Sequence, residues 1–153
     1  MKTKYIIGIF LILAIATTAC VYAAEATLAD TYKFTVPDGY ELTDEGSDYV
    51  ILNNDSEHGL RISETSALVS EDQAVSTYES QGFDVKEHKV INENGDDILF
   101  VHYIDDGSHL YVYGWEAEEG SYIIGVHCYP ESEPDTDWAD SPIKEIHDSI
   151  TKI

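Results

Sequence analysis

Six histidines, one cysteine beyond the first twenty residues and thirty carboxylates are the side chains of this chain with the means to do chemistry. A Cys–His nucleophile pair needs its two side chains within hydrogen-bond reach, about 3 Å. The expected strand register sets His102, Tyr111 and Cys128 on one cross-sheet row. His102 and Cys128 then sit two strands apart, roughly 10 Å at ordinary strand spacing, with Tyr111 between them. His127 follows the opposite face and is no base for Cys128, which reads as a small buried hydrophobe. His58, His88, His102, His109, His127 and His147 contain no pair at a zinc-helix spacing. A second row, His88, Val101, Val112 and His127, holds its two histidines three strands apart, so the histidines read as structural.

The carboxylates cluster in turns. The segments Asn92 to Asp97 and Asp105 to Gly107 resemble calcium loops in composition, but lack the ligand spacing of an EF-hand. Hairpin chemistry already accounts for them. Asp135, Asp137 and Asp140, grouped around Trp138, are the calcium candidate that no tight turn requires; the alternative is a solvated acidic loop with no cofactor. A further group could bind an organic ligand. Tyr111, Tyr113 and Trp115 recur at period two on one strand, either as a stacking platform for sugars or peptides or as packing beneath a helix. Gly114 and Gly125 mark a thin spot on the opposite face, where a helix approaches closely or a groove opens. Trp138 completes this candidate ligand set.

These residues must be positioned by a mostly antiparallel framework. Tyr32 to Val36 alternates like a strand and stops at Pro37-Asp38-Gly39, and Tyr49 to Asn53 and Leu60 to Ser63 follow as two more strands. Between them Asn54-Asp55-Ser56 forms an N-glycosylation sequon, with Asn54 the acceptor. Ser70 and Gln73 make a capping box for a helix ending near Gly82. Four strands come next, Val85 to Asn92, Ile98 to Asp105, His109 to Glu118 and Tyr122 to Tyr129. Their connectors, Asn94-Gly95, Asp106-Gly107 and Glu119-Gly120, are two-residue turns that make a four-strand meander. Finally Ser141 caps and Pro142 opens a helix. Ile143, Ile146, Ile150 and Ile153 recur along one stripe of it.

Pairing the meander through its turns places Ile98, Phe100, His102, Tyr111, Tyr113, Trp115, Ile124, Val126 and Cys128 on one face. Leu99, Val101, Tyr103, Leu110, Val112, Ile123, His127 and Tyr129 take the other, with Gly114 and Gly125. Both faces are apolar and both require cover, whereas a sheet with one wet face alternates apolar and polar residues. The fold class expected is α+β: an antiparallel sheet of six to seven strands with helices packed on its faces.

The N-terminus sets the compartment. Lys2 and Lys4 precede an apolar run from Tyr5 to Ala16, and Val21-Tyr22-Ala23 offers a small-residue cleavage site, the pattern of a secretory signal peptide over residues 1–23. That run is too short for the roughly 20 residues of a membrane span, and no later run approaches it. The expectation is a secreted, monomeric domain at 32–153 after a short polar lead at 24–31. Thr17-Thr18-Ala19-Cys20 also resembles a lipoprotein box, in which Cys20 would carry the anchor instead. Loss of Lys2 and Lys4 leaves 6 basic against 30 acidic residues, a net charge of −24. Such a charge repels nucleic acid and anionic membrane surfaces. With Cys128 alone, the domain must also fold without an internal disulfide.

Phe34-Thr35-Val36-Pro37-Asp38-Gly39-Tyr40 resembles the opening strand and turn of the PsbP-like family, and Ile146-His147-Asp148-Ser149-Ile150 is similar to its final helix. The resemblance covers about 32–153. It implies an exported or membrane-attached accessory factor built on an antiparallel sheet, with no metal or cofactor residue to carry over. The function expected is therefore a non-catalytic binding domain at the cell envelope, taking a protein, peptide or small ligand. The alternatives are a small hydrolase using loop carboxylates and a calcium-binding acidic surface protein.

Overall fold

The computed structural model describes residues 24–54, 57–130 and 137–153. The expected signal segment with Cys20, and Asp135, lie outside them. Two antiparallel sheets form the body of the molecule. The smaller has three strands in the order β1 (Glu25–Leu28), β2 (Tyr32–Thr35) and β10 (Thr151–Lys152). The larger has seven: β3 (Glu41–Glu45), β4 (Tyr49–Asn53), β5 (Gly59–Thr65), β9 (Ser121–Pro130), β8 (Ser108–Glu118), β7 (Asp96–Asp105) and β6 (Asp84–Glu93). Among the described residues two α-helices, α1 (Glu71–Ser80) and α2 (Pro142–Ser149), complete an α+β architecture.

Local chemistry sets most of these boundaries as expected. The Ser70 hydroxyl accepts from the Gln73 backbone N–H, and the Gln73 side chain accepts from the Ser70 N–H. The Ser141 hydroxyl caps α2 by accepting from the Ile143 N–H, with Pro142 in the first turn. The Asn94-Gly95 and Asp106-Gly107 turns have left-handed φ at both central residues, as a type I′ hairpin demands. Three elements differ from expectation. The lead at 24–31 carries β1, where Ala26 and Leu28 alternate inward and pair with β2. β3 is exposed throughout and carries one apolar residue, Leu42, so no apolar pattern announces it; it is held to β4 by backbone pairing and side-chain hydrogen bonds. The last helix ends at Ser149: Ile143 and Ile146 are buried, but Ile150 leaves the helix and Ile153 is 68% exposed, because the chain turns out to pair β10 with β2.

The meander carries the most consequential difference. At the third turn only Gly120 of the two central residues is left-handed (φ 79°). Glutamate does not take that conformation as readily as asparagine or aspartate, so a type I′ turn is not formed. The misfit is absorbed by a β-bulge at Ala117, where pairing passes from Glu118↔Ser121 to Glu116↔Tyr122. One extra residue exchanges the faces of all of β9. Ile123, Gly125, His127 and Tyr129 therefore join Trp115, Tyr113, Tyr111 and His109, while Ile124, Val126 and Cys128 turn to the other side.

Each face of the large sheet has its own core. The first packs Val50, Leu52, Leu60, Ile62, Phe100, Tyr113, Trp115 and Ile123 beneath Leu28, Phe34 and α2 residues Ile143 and Ile146. On the second, Leu99, Val101, Tyr103 and Val112 lie under Ala74 and Tyr78 of α1, with Leu68 and Phe83 beside them. That cover is partial. α1 lies over β6 and β7, leaving the β4, β5 and β9 side of this face without a helix.

Candidate ligand-binding face

The aromatic stripe does not form an open platform. Tyr111, Tyr113 and Trp115 are only 1–2% exposed and sit in the first core. Trp138, on a short 3-10 turn (Trp138–Asp140), lies 5.0 Å from the Tyr113 ring and donates its indole N–H to Glu93. Burial pushes the Tyr113 hydroxyl up to about 12. A cavity of about 90 Å³ remains beside Tyr111, Tyr113 and Trp138, well below the roughly 300 Å³ at which small-molecule sites begin. Nor do the glycines open a groove. Gly114 and Gly125 face opposite sides because of the bulge. A Cβ on Gly125 would meet Ile143 at 2.8 Å, and one on Gly114 would meet Leu68 at 2.7 Å. Both glycines serve close packing.

The bulge assembles a row that the expected register had dispersed. His102, Tyr111 and His127 lie opposite one another across β7, β8 and β9, correcting the row that had Cys128 in the third place. The His88, Val101, Val112 row correspondingly ends on Val126 rather than His127. His102 stacks on Tyr111 with ring centres 4.1 Å apart, and Tyr129 stacks on Tyr111 and His109. His102 Nε2 and His109 Nδ1 are 2.7 Å apart, and His58 Nδ1 and His127 Nε2 are 3.1 Å apart. Each nitrogen pair is at hydrogen-bond distance. His127 is 3% exposed, and its Nδ1 has no partner. Burial, and secondarily His58, lowers its ionisation to about 4, so it is neutral at physiological pH.

This row is a buried polar seam, and among the described residues no three histidine, cysteine, aspartate or glutamate side chains converge as a metal would need. Asp137 and Asp140 of the expected calcium set flank Trp138 and are exposed. Asn54, the expected glycan acceptor, accepts the His58 backbone N–H on its side-chain oxygen. Among the described residues, the carboxylates with shifted ionisation all move down: Glu93 and Asp148 beside the Lys144 ammonium, Glu118 beside that of Lys152. These three hold no proton at neutral pH, the opposite of what a general acid requires.

The open surface lies on the second face, where β9 presents what the bulge turned outward. Ile51, Leu60, Arg61, Tyr103, Leu110, Val126 and Cys128 border a groove of about 380 Å³ whose lining is predominantly apolar. Ile51, Leu110, Val126 and Cys128 are half-buried along it. Burial and then Asp105 raise the Cys128 thiol, which stays protonated and points away from the histidine row. Sequence reasoning missed this groove because it placed Val126 and Cys128 in the opposite core. The signal available was Glu119 in place of the Asn or Asp that the other two turns carry.

No family model and no curated protein matches this chain. Among solved structures, a crystal structure from Bacteroides thetaiotaomicron VPI-5482 is similar over 86% of this chain and 48% of its own, at a TM-score of 0.55 and 10% identity. This chain thus spans about half the length of that neighbour. The likeness is one of fold alone.

Proposed function

We propose that this chain is an exported, non-catalytic binding domain of the cell envelope, and that its contact surface is the apolar groove between β4 and β7. The observation that carries this reading is the partial cover of the second face. Sheet surface as apolar as the buried side continues past α1 as a groove large enough for a small ligand. Contiguous exposed apolar surface of this kind marks interaction sites. Export rests on the N-terminal segment with its basic start and short apolar run. The resemblance to PsbP-like proteins supports an accessory role, and its two motifs touch: the Thr35 N–H donates to Ser149 Oγ at 3.0 Å. No helix of the described residues is long and apolar enough to cross a membrane.

Amide NMR shifts test the reading when the protein is titrated with decyl amphiphiles bearing carboxylate, quaternary ammonium or glucoside head groups. Saturable shifts centred on Ile51, Leu110, Val126 and Cys128 are expected from at least one of them. Shifts scattered over the surface, or none with any head group, would remove the groove as the binding site.

A further inference from the structure

The wall of the groove carries the only arginine in the chain. In a protein with 30 acidic and 8 basic residues, a cation that pairs with no carboxylate is unexpected. Lys86, Lys89, Lys144 and Lys152 each hold one, at 2.6–3.1 Å. Arg61 holds none among the described residues, and neither does the exposed Lys33, which lies on the other sheet away from the groove. The Arg61 guanidinium lies 4.5 Å from the centre of the Tyr49 ring, and its Nε donates to Ser63 Oγ at 3.4 Å. Two carboxylates approach this assembly: Asp44 accepts the Tyr49 hydroxyl, and Asp48 acts on the same ring from a greater distance, neither forming an ion pair with Arg61. The guanidinium is thereby held against the sheet by a ring and a neutral hydroxyl, with its terminal nitrogens left for another acceptor.

On this evidence, and resting on the binding-domain reading above, we infer that the groove takes a single-chain amphipathic carboxylate, its alkyl chain along Ile51, Leu110, Val126 and Cys128 and its head group on Arg61. An alkyl chain suits a lining without other charged side chains, since burying a second ion there would be costly. A planar fork of donors matches a carboxylate in a two-point contact. The overall charge does not oppose this. Screening confines distant carboxylates to a Debye length of about 8 Å at physiological salt, and one head group against Arg61 is governed by that local cation. An extended anionic membrane would meet the whole acidic surface and be repelled.

Calorimetry compares decanoate, decyltrimethylammonium and decyl glucoside, each below its micelle threshold, on the wild-type protein and Arg61→Gln. A charge-assisted contact is worth roughly 1.5–3 kcal/mol, so Arg61→Gln should weaken decanoate at least about tenfold and leave the glucoside within a factor of two. Arg61 is exposed, and circular dichroism of the variant checks that the fold is kept. Independently, saturating decanoate should slow alkylation of Cys128, followed by peptide mass spectrometry. Decanoate binding that ignores Arg61→Gln, a preference for the ammonium head group, or Cys128 alkylation unaffected by bound decanoate would each overturn the carboxylate assignment. Any of those with groove-centred NMR shifts spares the binding-domain reading, whereas no binding by all three amphiphiles overturns both.

Discussion

Lowering the pH from 7 to 5 should cost this protein roughly 2 kcal/mol of stability through His127 alone. An unfolded histidine ionises near 6.5, while burial among Tyr111, Tyr129 and His58 lowers His127 to about 4 in the folded state. Between those values the unfolded chain binds the proton and the folded chain does not, so stability is fully present above 6.5 and is lost as pH falls toward 4. The two-site binding expression gives roughly 2 kcal/mol between pH 7 and 5, within a ceiling of about 3.4 kcal/mol from a 2.5-unit displacement at 1.36 kcal/mol each. Carboxylates also respond over this range, so the comparison is with His127→Phe, which keeps a planar ring and shares their contribution. Urea unfolding at both pH values is the assay, and the wild type should lose about 2 kcal/mol more than the variant. Equal losses within about 0.5 kcal/mol, or an imidazole nitrogen NMR signal showing His127 protonated at pH 5, would refute a buried neutral ring.

Three further outcomes follow from packing and processing. Ile146→Ala should destabilise by about 2–5 kcal/mol as a core truncation, while Ile153→Ala, 68% exposed, should change urea stability by less than about 0.5 kcal/mol; equal effects would contradict a helix that ends at Ser149. Gly125→Ala sets a Cβ at 2.8 Å from Ile143 in the core and should lower stability by about 1–3 kcal/mol in thermal unfolding. If it is neutral, α2 does not lie where it is described. Intact mass of the exported protein should match a chain starting at Ala24; a diacylglycerol adduct on Cys20 would move the protein to the membrane and replace the secreted form.

Much of the framework was legible because local chemistry dictated it. Asn94-Gly95, Asp106-Gly107, the Ser70–Gln73 box and Ser141-Pro142 each specify a boundary through backbone geometry that few other residues supply. β3 was not legible, since Glu41 to Glu45 is an exposed, largely acidic edge held by main-chain pairing and a few polar side-chain contacts to β4 rather than by burial. Ile150 and Ile153 misled in the other direction: they continue a helical stripe in sequence, but β2 offers a free edge that captures the chain first. The candidate site depended on a single residue. His127 and Cys128 are adjacent, and which of them joins Tyr111 depends on Ala117, a small residue that no side-chain pattern distinguishes. Alternation along β9 did not help, because both of its faces are apolar.

That double-sided character of β9 gives the bulge an evolutionary consequence. Most strands have one presentable side, so a one-residue insertion or deletion in the preceding turn would bury charge and be discarded. Here Ile123, His127 and Tyr129 on one side and Ile124, Val126 and Cys128 on the other are both sets that a core tolerates. Loss of one codon at position 117 would turn the strand over and exchange a histidine seam for a thiol-bearing row. A lineage built on this hairpin thus has access, in one mutational step, to two chemically different surfaces on the same scaffold.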